Sequence, residues 1–325
     1  MATNFWQKLK RPFFCLAPMA DVTDAAFRRV IAKYGKPDVL WTEFVSADGL
    51  CHPKGREKLL PLIQFSEPER PIVAQIFGSK PEKIREAVMI IRALDFDGVD
   101  INLGCPDRSV EKQGAGAALM KNPKLVREII RAAKEGAGAM PVSVKTRLGY
   151  NKDELETWLP ELLAEKPAAI TIHARTRKEM SKVPAHWERI KRAVEIRNEL
   201  ESRTLIIGNG DVIDLADAKK KAQKSGVDGV MLGRAIFGNP WLFSSRTDLD
   251  RRLSRSVLDV LVEHTKLFEK LCCLPTGGKS FAVMKKHFKA YVAGWAGAKE
   301  LRTKLMKTDN AKEVKQLVKA YRNQI

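Results

Sequence analysis

The sequence predicts a TIM (β/α)8 barrel followed by a C-terminal domain made only of helices. Up to about residue 245, eight short apolar runs alternate with segments of helical periodicity, and beyond that point the strand-like runs stop. Alternating strands and helices indicate a parallel sheet with right-handed crossovers. Eight such units in a segment of this length fit a barrel, with a doubly wound open sheet as the alternative. The even spacing of the eight repeats favours the barrel.

The eight strand-like runs are rich in β-branched residues. They read, in chain order, FFCLAPM, DVLWTEF, PIVAQIF, GVDINLG, PVSVKTRLG, AAITIHA, TLIIGNGD and GVMLGRA. Segments such as DAAFRRVIAKYG, PEKIREAVMIIRAL and NPKLVREIIRAAKEG lie between them, and their apolar spacing is typical of amphipathic helices. Pro81 and Pro123 stand where the first turn of a helix tolerates proline. The least regular spacer runs from residue 46 to residue 70.

The C-terminal segment differs from the rest in pattern and in charge. LDVLVEHTKLFEKL, SFAVMKKHFKAYV, AKELRTKLMKT and NAKEVKQLVKAYR all have helical periodicity. Residues 246–325 contain 18 Lys and Arg against 8 Asp and Glu, whereas residues 1–245 contain 40 against 31. We therefore predict a barrel domain over residues 1–245 and a basic helical domain over residues 246–325.

The composition points to an anionic partner inside a reducing compartment. The formal net charge is +19, which favours nucleic acid. No apolar run approaches the roughly 18 residues of a membrane span, and no signal peptide is recognised. The five cysteines are odd in number, and their spacing matches neither a disulfide framework nor a zinc site. We expect a cytoplasmic protein with no membrane partner and no metal, monomeric apart from RNA.

Polar residues end all eight predicted strands. Functional groups of TIM barrels gather at the C-terminal ends of the strands, and eight polar ends are hard to explain by packing. Two of these ends, GNGDV and LGRA, follow the seventh and eighth strands, where glycines let backbone amides approach a phosphate. The other ends carry Met19–Ala20–Asp21, Glu43, Gln75, Asn102 with Cys105, Lys145 with Arg147, and His173 with Arg175.

Lys145 and Cys105 are the most informative of these residues. A lysine inside a buried parallel strand is costly unless it meets an anion or a polar ligand, so Lys145 is a candidate for contact with an electron-rich ring. The alternative is a lysine whose amine reaches solvent from a strand end. Cys105 lies between Gly104 and Pro106. A thiol of ordinary pKa, about 8.5, is protonated at pH 7 and can donate that proton, whereas a nucleophile would need a base.

Over nearly all of residues 13–295 the chain resembles the tRNA-dihydrouridine synthases. The matching stretches are APMADVTDAAFR, TEFVSADGL, PIVAQIFG, GVDINLGCPDRSVEKQGAGAALMKNP, PVSVKTRLG, ITIHART, IIGNGDV, DGVMLGRAIFGNPWLF and MKKHFKAY. The most specific of these is the Asn-x-Gly-Cys-Pro box with its downstream Gly-Ala-Gly. The resemblance implies an FMN enzyme that reduces the 5,6 double bond of selected uridines in tRNA, with NADPH as reductant.

The resemblance also implies roles for individual residues. Cys105 matches the active cysteine, which gives a proton to carbon 5 of the uracil after hydride passes from flavin N5 to carbon 6. The uridine must leave its stack, and the basic tail holds tRNA by phosphate contacts. The residues that match cofactor contacts are Pro18, Met19, Ala20, Gln75, Asn102, Lys145, His173, Asn209, Gly210, Asp211, Gly233 and Arg234. The residues expected to contact RNA are Arg175, Arg177, Lys285, Lys286 and Lys289.

One loop departs from the family pattern. After the sixth strand, the family usually has Arg-Thr-Arg followed by a glutamine and a tyrosine, whereas this chain reads ARTRKEMSKVPAHW. Glu179 and Ser181 stand at or near the two positions. We expect this loop to face the RNA, so the departure bears on which uridine is reduced and leaves the flavin prediction unchanged.

Two other functions stay open on the sequence. One is a flavin barrel that acts on a free small molecule such as a pyrimidine, which the basic helical tail disfavours. The other is an RNA-binding protein without flavin, which the intact Cys105, Lys145 and GNGDV disfavour. No motif identifies the target uridine. No motif distinguishes tRNA from ribosomal RNA as the substrate, or NADPH from NADH as the reductant.

Overall fold

The computed structural model describes residues 4–244, 254–274 and 278–323. Within them, eight parallel strands form one sheet in the spatial order 1-8-7-6-5-4-3-2. A parallel bridge between Cys15 and Val39 joins the first strand to the second and closes the sheet into a barrel. The strands are β1 (Phe13–Leu16), β2 (Leu40–Ser46), β3 (Ile72–Phe77), β4 (Gly98–Asn102), β5 (Val142–Arg147), β6 (Ala169–His173), β7 (Leu205–Asn209) and β8 (Gly229–Leu232). All eight coincide with the predicted runs, so the predicted barrel is confirmed.

Helices follow the strands as the periodicity predicts. Those of the barrel are α1 (Ala25–Tyr34), α2 (Ala47–Cys51), α3 (Pro53–Ile63), α4 (Pro81–Ala93), α5 (Arg108–Glu111), α6 (Pro123–Ala137), α7 (Leu155–Ala164), α8 (Trp187–Glu199) and α9 (Leu215–Ser225). Helices α4 and α6 begin at the two prolines noted in the sequence. The irregular spacer contains α2, α3 and a short 3-10 turn. Side chains cap several of these helices; Asp24, for example, accepts a hydrogen bond of 3.0 Å from the Phe27 N–H at the start of α1.

Apolar side chains fill the end of the barrel at which the strands begin. A 3-10 turn at Phe5–Lys8 places Trp6 against the base of the strands, 5.7 Å from the Phe13 ring and 5.9 Å from the Trp41 ring between centroids. The main core lies between the outside of the sheet and the surrounding helices. Apolar side chains therefore fill the barrel interior at this end of the described chain, and the polar strand-end residues lie at the opposite end.

The C-terminal helical region is the part of the described chain from residue 254 onward. It contains α10 (Ser254–Cys272), α11 (Met284–Tyr291), α12 (Ala298–Leu305) and α13 (Ala311–Arg322) around a second core. Helix α10 packs on α1, where Lys33 pairs with Glu263 at 2.7 Å. The predicted domain boundary at residues 245 and 246 lies outside the described residues. No helix within the described ranges has the length and apolarity required to cross a membrane.

Two buried histidines occupy the contact between α1 and the helical region. His264 and His287 are 0% and 1% exposed, and their ring centroids are 4.7 Å apart. The Phe27 ring lies 5.5 Å from the first and 5.2 Å from the second. Burial lowers the pKa of His264 to about 3. Burial and the neighbouring His264 also hold the pKa of His287 well below its usual value. Both rings are therefore neutral in the folded protein near neutral pH.

We expect the free energy of unfolding to fall as the pH drops below about 6.5. The unfolded chain binds protons at histidines that the folded chain keeps neutral, so stability present above pH 6.5 is lost toward pH 3. His264 alone accounts for a loss of about 2 kcal/mol between pH 6.5 and pH 5. Urea unfolding at both pH values measures this loss. The variant His264→Gln should lose less stability than the native chain over the interval, and His52→Gln, at an exposed histidine, should lose as much. Equal losses for the native chain and His264→Gln would contradict the assignment.

Candidate functional site

The register of the strands brings the predicted site residues to one end of the barrel. Asn102 lies opposite Lys145 on the neighbouring strand, and His173 lies opposite Asn209. Alternate residues of a strand share a face, so the side chains of these four positions enter the barrel mouth from adjacent strands. The sequence prediction that strand ends form one site is therefore consistent with the topology.

The loop that carries Cys105 is fixed by hydrogen bonds on both sides. Asn102 Oδ1 accepts from the Gly104 N–H at 3.1 Å and from the Cys105 N–H at 2.9 Å. The Cys105 carbonyl accepts from Ala117 N–H at 2.9 Å, and Arg147 Nε donates to the Gly104 carbonyl at 2.8 Å. The loop is therefore held from β4, from β5 and from the turn before α6, while the thiol stays half-buried.

The Cys105 thiol has the protonation state of an acid. Burial raises the pKa of Cys105 above its ordinary value, against smaller opposing effects that include the charges of Arg147 and Lys145. A thiol with a raised pKa is protonated at neutral pH and can donate. Activation as a nucleophile would require the opposite shift.

A buried polar chain beneath the loop orients Asn102. Ser143 Oγ donates to Asp100 Oδ1 at 2.6 Å, and Gln75 Nε2 donates to Asp100 Oδ2 at 2.7 Å. Asn102 Nδ2 then donates to Gln75 Oε1 at 3.1 Å. Burial raises the pKa of Asp100 to about 6. Asp100 is not among the predicted site residues, and the signal for it in the sequence is a charged residue inside the apolar run GVDIN. Gln75 and Asn102, predicted as cofactor contacts, also support this network.

Lys145 reaches across the mouth toward β7. Its Nζ donates to Asn209 Oδ1 at 3.2 Å, and Asn209 Nδ2 donates to the Met231 carbonyl at 2.8 Å. Burial, followed by the charge of Arg147, lowers the pKa of Lys145 to about 8. An ammonium has three N–H donors, and among the described residues this hydrogen bond uses one. The remaining donors suit an electron-rich ring above the strand ends.

The loops after β7 and β8 bring glycine backbone and charged side chains together. Gly210 has φ +128°, and a Cβ there would lie 2.9 Å from Ala185 Cβ, so the position requires glycine. Arg234 is 67% exposed at its side chain and pairs with Asp211 at 2.9 Å. Burial, and then the charges of Arg147 and Lys145, hold the pKa of His173 well below its usual value. Several cations close to a neutral imidazole and an open glycine loop fit a phosphate group.

The loop after β1 meets the loop after β8 at the same end. The Met19 N–H donates to Thr23 Oγ1 at 2.9 Å, and a Cβ on Gly233 would lie 3.8 Å from Met19 Sδ. Pro18 and Met19 are half-buried and Ala20 is exposed. The three residues predicted to contact the cofactor therefore lie beside the predicted phosphate loop.

The residues predicted to contact RNA divide into two groups. Arg175 is only 2% exposed; its Nε donates to the Val183 carbonyl at 2.6 Å and its terminal nitrogen pairs with Asp211. Arg175 is thus directed onto the loop after β7, and its contact with RNA stays a prediction. Arg177 pairs with Glu111 and is 27% exposed. On α11, Lys286 and Lys289 are exposed and Lys285 is half-buried.

The loop that departs from the family pattern is folded on itself. Glu179 Oε2 accepts from the Thr176 N–H at 2.7 Å, and Glu179 Oε1 lies 3.0 Å from His186 Nε2. Arg147, from β5, donates to the Thr176 carbonyl at 3.2 Å. The carboxylate of Glu179 thus stabilises the loop internally.

Comparison with known proteins agrees with these features. Residues 15–325 match the family model described as Dihydrouridine synthase. A probable tRNA-dihydrouridine synthase of Staphylococcus aureus (strain COL) is 44% identical over 326 residues, covering 100% of this chain and 98% of that protein. A probable tRNA-dihydrouridine synthase 2 of Bacillus subtilis (strain 168) is 43% identical over 319 residues, covering 98% of this chain and 96% of that protein.

Solved structures of low sequence identity show the same fold. Morphinone reductase in complex with tetrahydroNAD has a TM-score of 0.51 at 14% identity, over 73% of this chain and 87% of that chain. Histamine dehydrogenase from Rhizobium sp. 4-9 has a TM-score of 0.55 at 12% identity. The match covers 78% of this chain and 48% of the dehydrogenase, so this chain spans about half its length. At such identities the likeness supports the barrel fold alone.

Proposed function

Since the chain belongs to the dihydrouridine synthase family, we propose that it reduces the 5,6 double bond of specific uridines in tRNA to dihydrouridine. The observation that carries the proposal is the position of Cys105. Its thiol is held at the barrel mouth by a fixed loop, with a pKa raised by burial. Lys145 lies on the neighbouring strand, and its amine reaches toward β7, whose loop carries Asp211 paired with Arg234. A proton donor beside a site that would hold a flavin is what reduction of a uracil ring requires.

The residues around the loops after β7 and β8 fit FMN. Gly210, Gly233 and Arg234 supply open backbone and positive charge for the single phosphate, and His173 offers a neutral imidazole beside it. Lys145 lies over the strand ends, where the ring would rest. When bound and reduced by NADPH, FMN supplies the hydride for carbon 6 of the uracil.

The protein itself supplies the proton and the alignment. Cys105 gives its proton to carbon 5, where negative charge develops as carbon 6 is reduced. Asn102 holds the cysteine loop through two N–H groups, and the Asp100–Gln75 pair fixes the amide of Asn102. Arg147 stabilises the thiolate that remains, because its guanidinium donates to the adjacent Gly104 carbonyl and its charge favours the deprotonated sulfur. An acid from solution then restores the thiol.

RNA is proposed to lie across the mouth, held from both sides. Lys286 and Lys289 are exposed on α11 at one side. On the β4–β6 side, Lys121, Lys152 and Lys178 line one groove around Tyr150, and none of the three pairs with an acidic side chain among the described residues. Unpaired lysines on both sides of a recessed site suit phosphates that flank a flipped nucleotide. The substrate and the five free cysteines are consistent with a cytoplasmic enzyme.

We expect the double variant Lys286→Glu/Lys289→Glu to weaken tRNA binding and reduce its salt dependence. The logarithm of the binding constant falls linearly with the logarithm of the salt concentration. Loss of two phosphate contacts should make this slope shallower by roughly 1.4 to 1.8 units. Filter binding at several salt concentrations measures the slope. The control is Lys219→Glu/Lys220→Glu on the exposed face of α9, which makes the same change in net charge. Its slope should be steeper than that of Lys286→Glu/Lys289→Glu. Equal slopes for the two double variants would exclude α11 as the RNA surface.

A second candidate, reduction of a free pyrimidine, is separated from the first by one experiment. The purified protein, loaded with FMN and reduced anaerobically by NADPH, is mixed with unmodified tRNA, uridine or uracil, and flavin absorbance is followed. The proposal predicts rapid reoxidation with tRNA and none with the small molecules at equal concentration. Reoxidation by uridine or uracil alone would establish the alternative.

A further inference from the structure

An ion cluster with a buried Lys279–Glu43 pair at its centre joins the loop after β1 to the helical region, and the mechanism above does not use it. Lys279, which precedes α11, has a side chain that is 11% exposed. Its Nζ lies 2.7 Å from Glu43 Oε1 and 3.0 Å from Asp21 Oδ1. Glu43, within β2, is 7% exposed at its side chain. Burying such a pair costs solvation, so its presence indicates a geometric requirement more than a gain in stability.

Glu43 in turn holds the loop after β1. Its Oε1 also accepts from the N–H of Asp21, a residue with φ +57° that depends on its surroundings to keep a left-handed conformation. The neighbouring Met19 N–H is bound by Thr23 Oγ1. The loop after β1 is therefore held by hydrogen bonds at Met19 and at Asp21. The bond at Asp21 depends on the Glu43 carboxylate, which pairs with Lys279.

Lys279 is the cation that pairs with the carboxylates of Glu43 and Asp21. Although burial opposes its charged form, the charge of Glu43 raises the pKa of Lys279. Burial and the charge of Glu43 raise the pKa of the nearby Asp24 to about 6. Without Lys279, the buried carboxylate of Glu43 would lose its close partner, and repulsion from the nearby Asp24 would displace it. A displaced Glu43 would hold the Asp21 N–H more weakly.

We propose that Lys279 is a positioning residue through which the helical region fixes the flavin-contacting loop of the barrel, acting on Met19 and Ala20 by way of Glu43 and Asp21. The inference rests on the proposed flavin function. It assigns the helical region a part in cofactor binding in addition to its part in RNA docking.

The test compares FMN binding by three variants of the full chain. Lys279→Met removes the charge and keeps the length, and Lys279→Arg restores the charge. Lys33→Met removes another bridge between the barrel and the helical region, the pair with Glu263 at the far end of α1. FMN affinity of the protein freed of flavin is measured by quenching of flavin fluorescence, together with the visible flavin spectrum and the KM and kcat for tRNA.

We expect Lys279→Met to bind FMN about tenfold more weakly, a change of about 1.4 kcal/mol, with an altered flavin spectrum. Lys279→Arg should recover most of the affinity, and Lys33→Met should stay within about twofold of the native chain. Should Lys279→Met fail to fold, the double variant Lys279→Met/Glu43→Gln removes the unpaired buried charge and should fold while still binding FMN weakly.

Two results would overturn the inference. One is native FMN affinity and spectrum in folded Lys279→Met or in the double variant. The other is equal weakening by Lys33→Met, which would indicate general loosening between the two regions. If the native chain itself binds no FMN, the proposed function fails instead, so the two failures are distinguishable.

Discussion

Replacement of Cys105 by alanine should lower the rate of uridine reduction by about a hundredfold to ten-thousandfold, the usual contribution of a positioned acid. The bonds from Asn102 and Arg147 go to main-chain groups of the loop, and the half-buried thiol itself is bound by the main chain of Asp107, so Cys105→Ala leaves Asn102, Gly104 and Arg147 in place. FMN and tRNA affinities should therefore match those of the native chain. A single-turnover measurement, in which the prereduced enzyme is mixed with unmodified tRNA, isolates the chemical step from flavin reduction.

The matched control is Cys51→Ala. Cys51 is also a half-buried free thiol, but it lies at the end of α2 with its sulfur against the Lys83 carbonyl of α4 at 3.4 Å. We expect its single-turnover rate to equal that of the native chain. An unchanged rate for Cys105→Ala would remove the cysteine from the mechanism and require another proton donor.

The largest loss of stability is expected from Arg28→Met. Arg28 and Glu69 are both 0% exposed and pair at 2.8 Å, and Arg28 also donates to the Thr23 carbonyl at 2.7 Å. Removal of Arg28 leaves the buried Glu69 carboxylate with Ser66 and a longer contact to Arg29 at 3.8 Å, and losing the close partner costs about 3 kcal/mol. Urea unfolding at pH 7 measures the loss. Because the carbonyl of Thr23 lies next to the loop after β1, FMN should also stabilise this variant less than it stabilises the native chain.

Two further variants define this effect. Arg28→Met/Glu69→Gln removes the unpaired charge and should be more stable than Arg28→Met alone. Lys83→Met breaks the exposed pair with Glu86 on α4 and should change the free energy of unfolding far less. If Arg28→Met were no more destabilising than Lys83→Met, the buried pair would not have the structural role assigned to it.

The sequence was sufficient to predict the barrel and the convergence of its polar strand ends because both depend on local patterns. Apolar runs of strand length, such as PIVAQIF, and proline at the first turn of α4 and α6 each specify an element without reference to distant residues. Parallel strands then bring all their C-terminal ends to one rim, so Asn102, Lys145, His173 and Asn209 meet without any knowledge of their contacts.

Features that depend on register or on distant contacts could not be predicted in this way. The chain Ser143–Asp100–Gln75–Asn102 exists because three strands align at particular residues. Lys279 and Glu43 are 236 positions apart, and no local pattern relates them. Arg175 looked like a free strand-end arginine, yet its guanidinium is buried against Asp211. Such side chains are directed by the packing around them, which a single sequence does not display.

The most direct test of the central claim is to map dihydrouridine in tRNA treated with the purified protein. The tRNA is taken from a strain that lacks the modification and incubated with the protein, FMN and NADPH, with Cys105→Ala as the parallel reaction. The account predicts dihydrouridine at one or two positions, dependent on the full chain and absent with the variant. A yellow protein whose flavin is reduced by NADPH, but which forms no dihydrouridine in any tRNA, would contradict it.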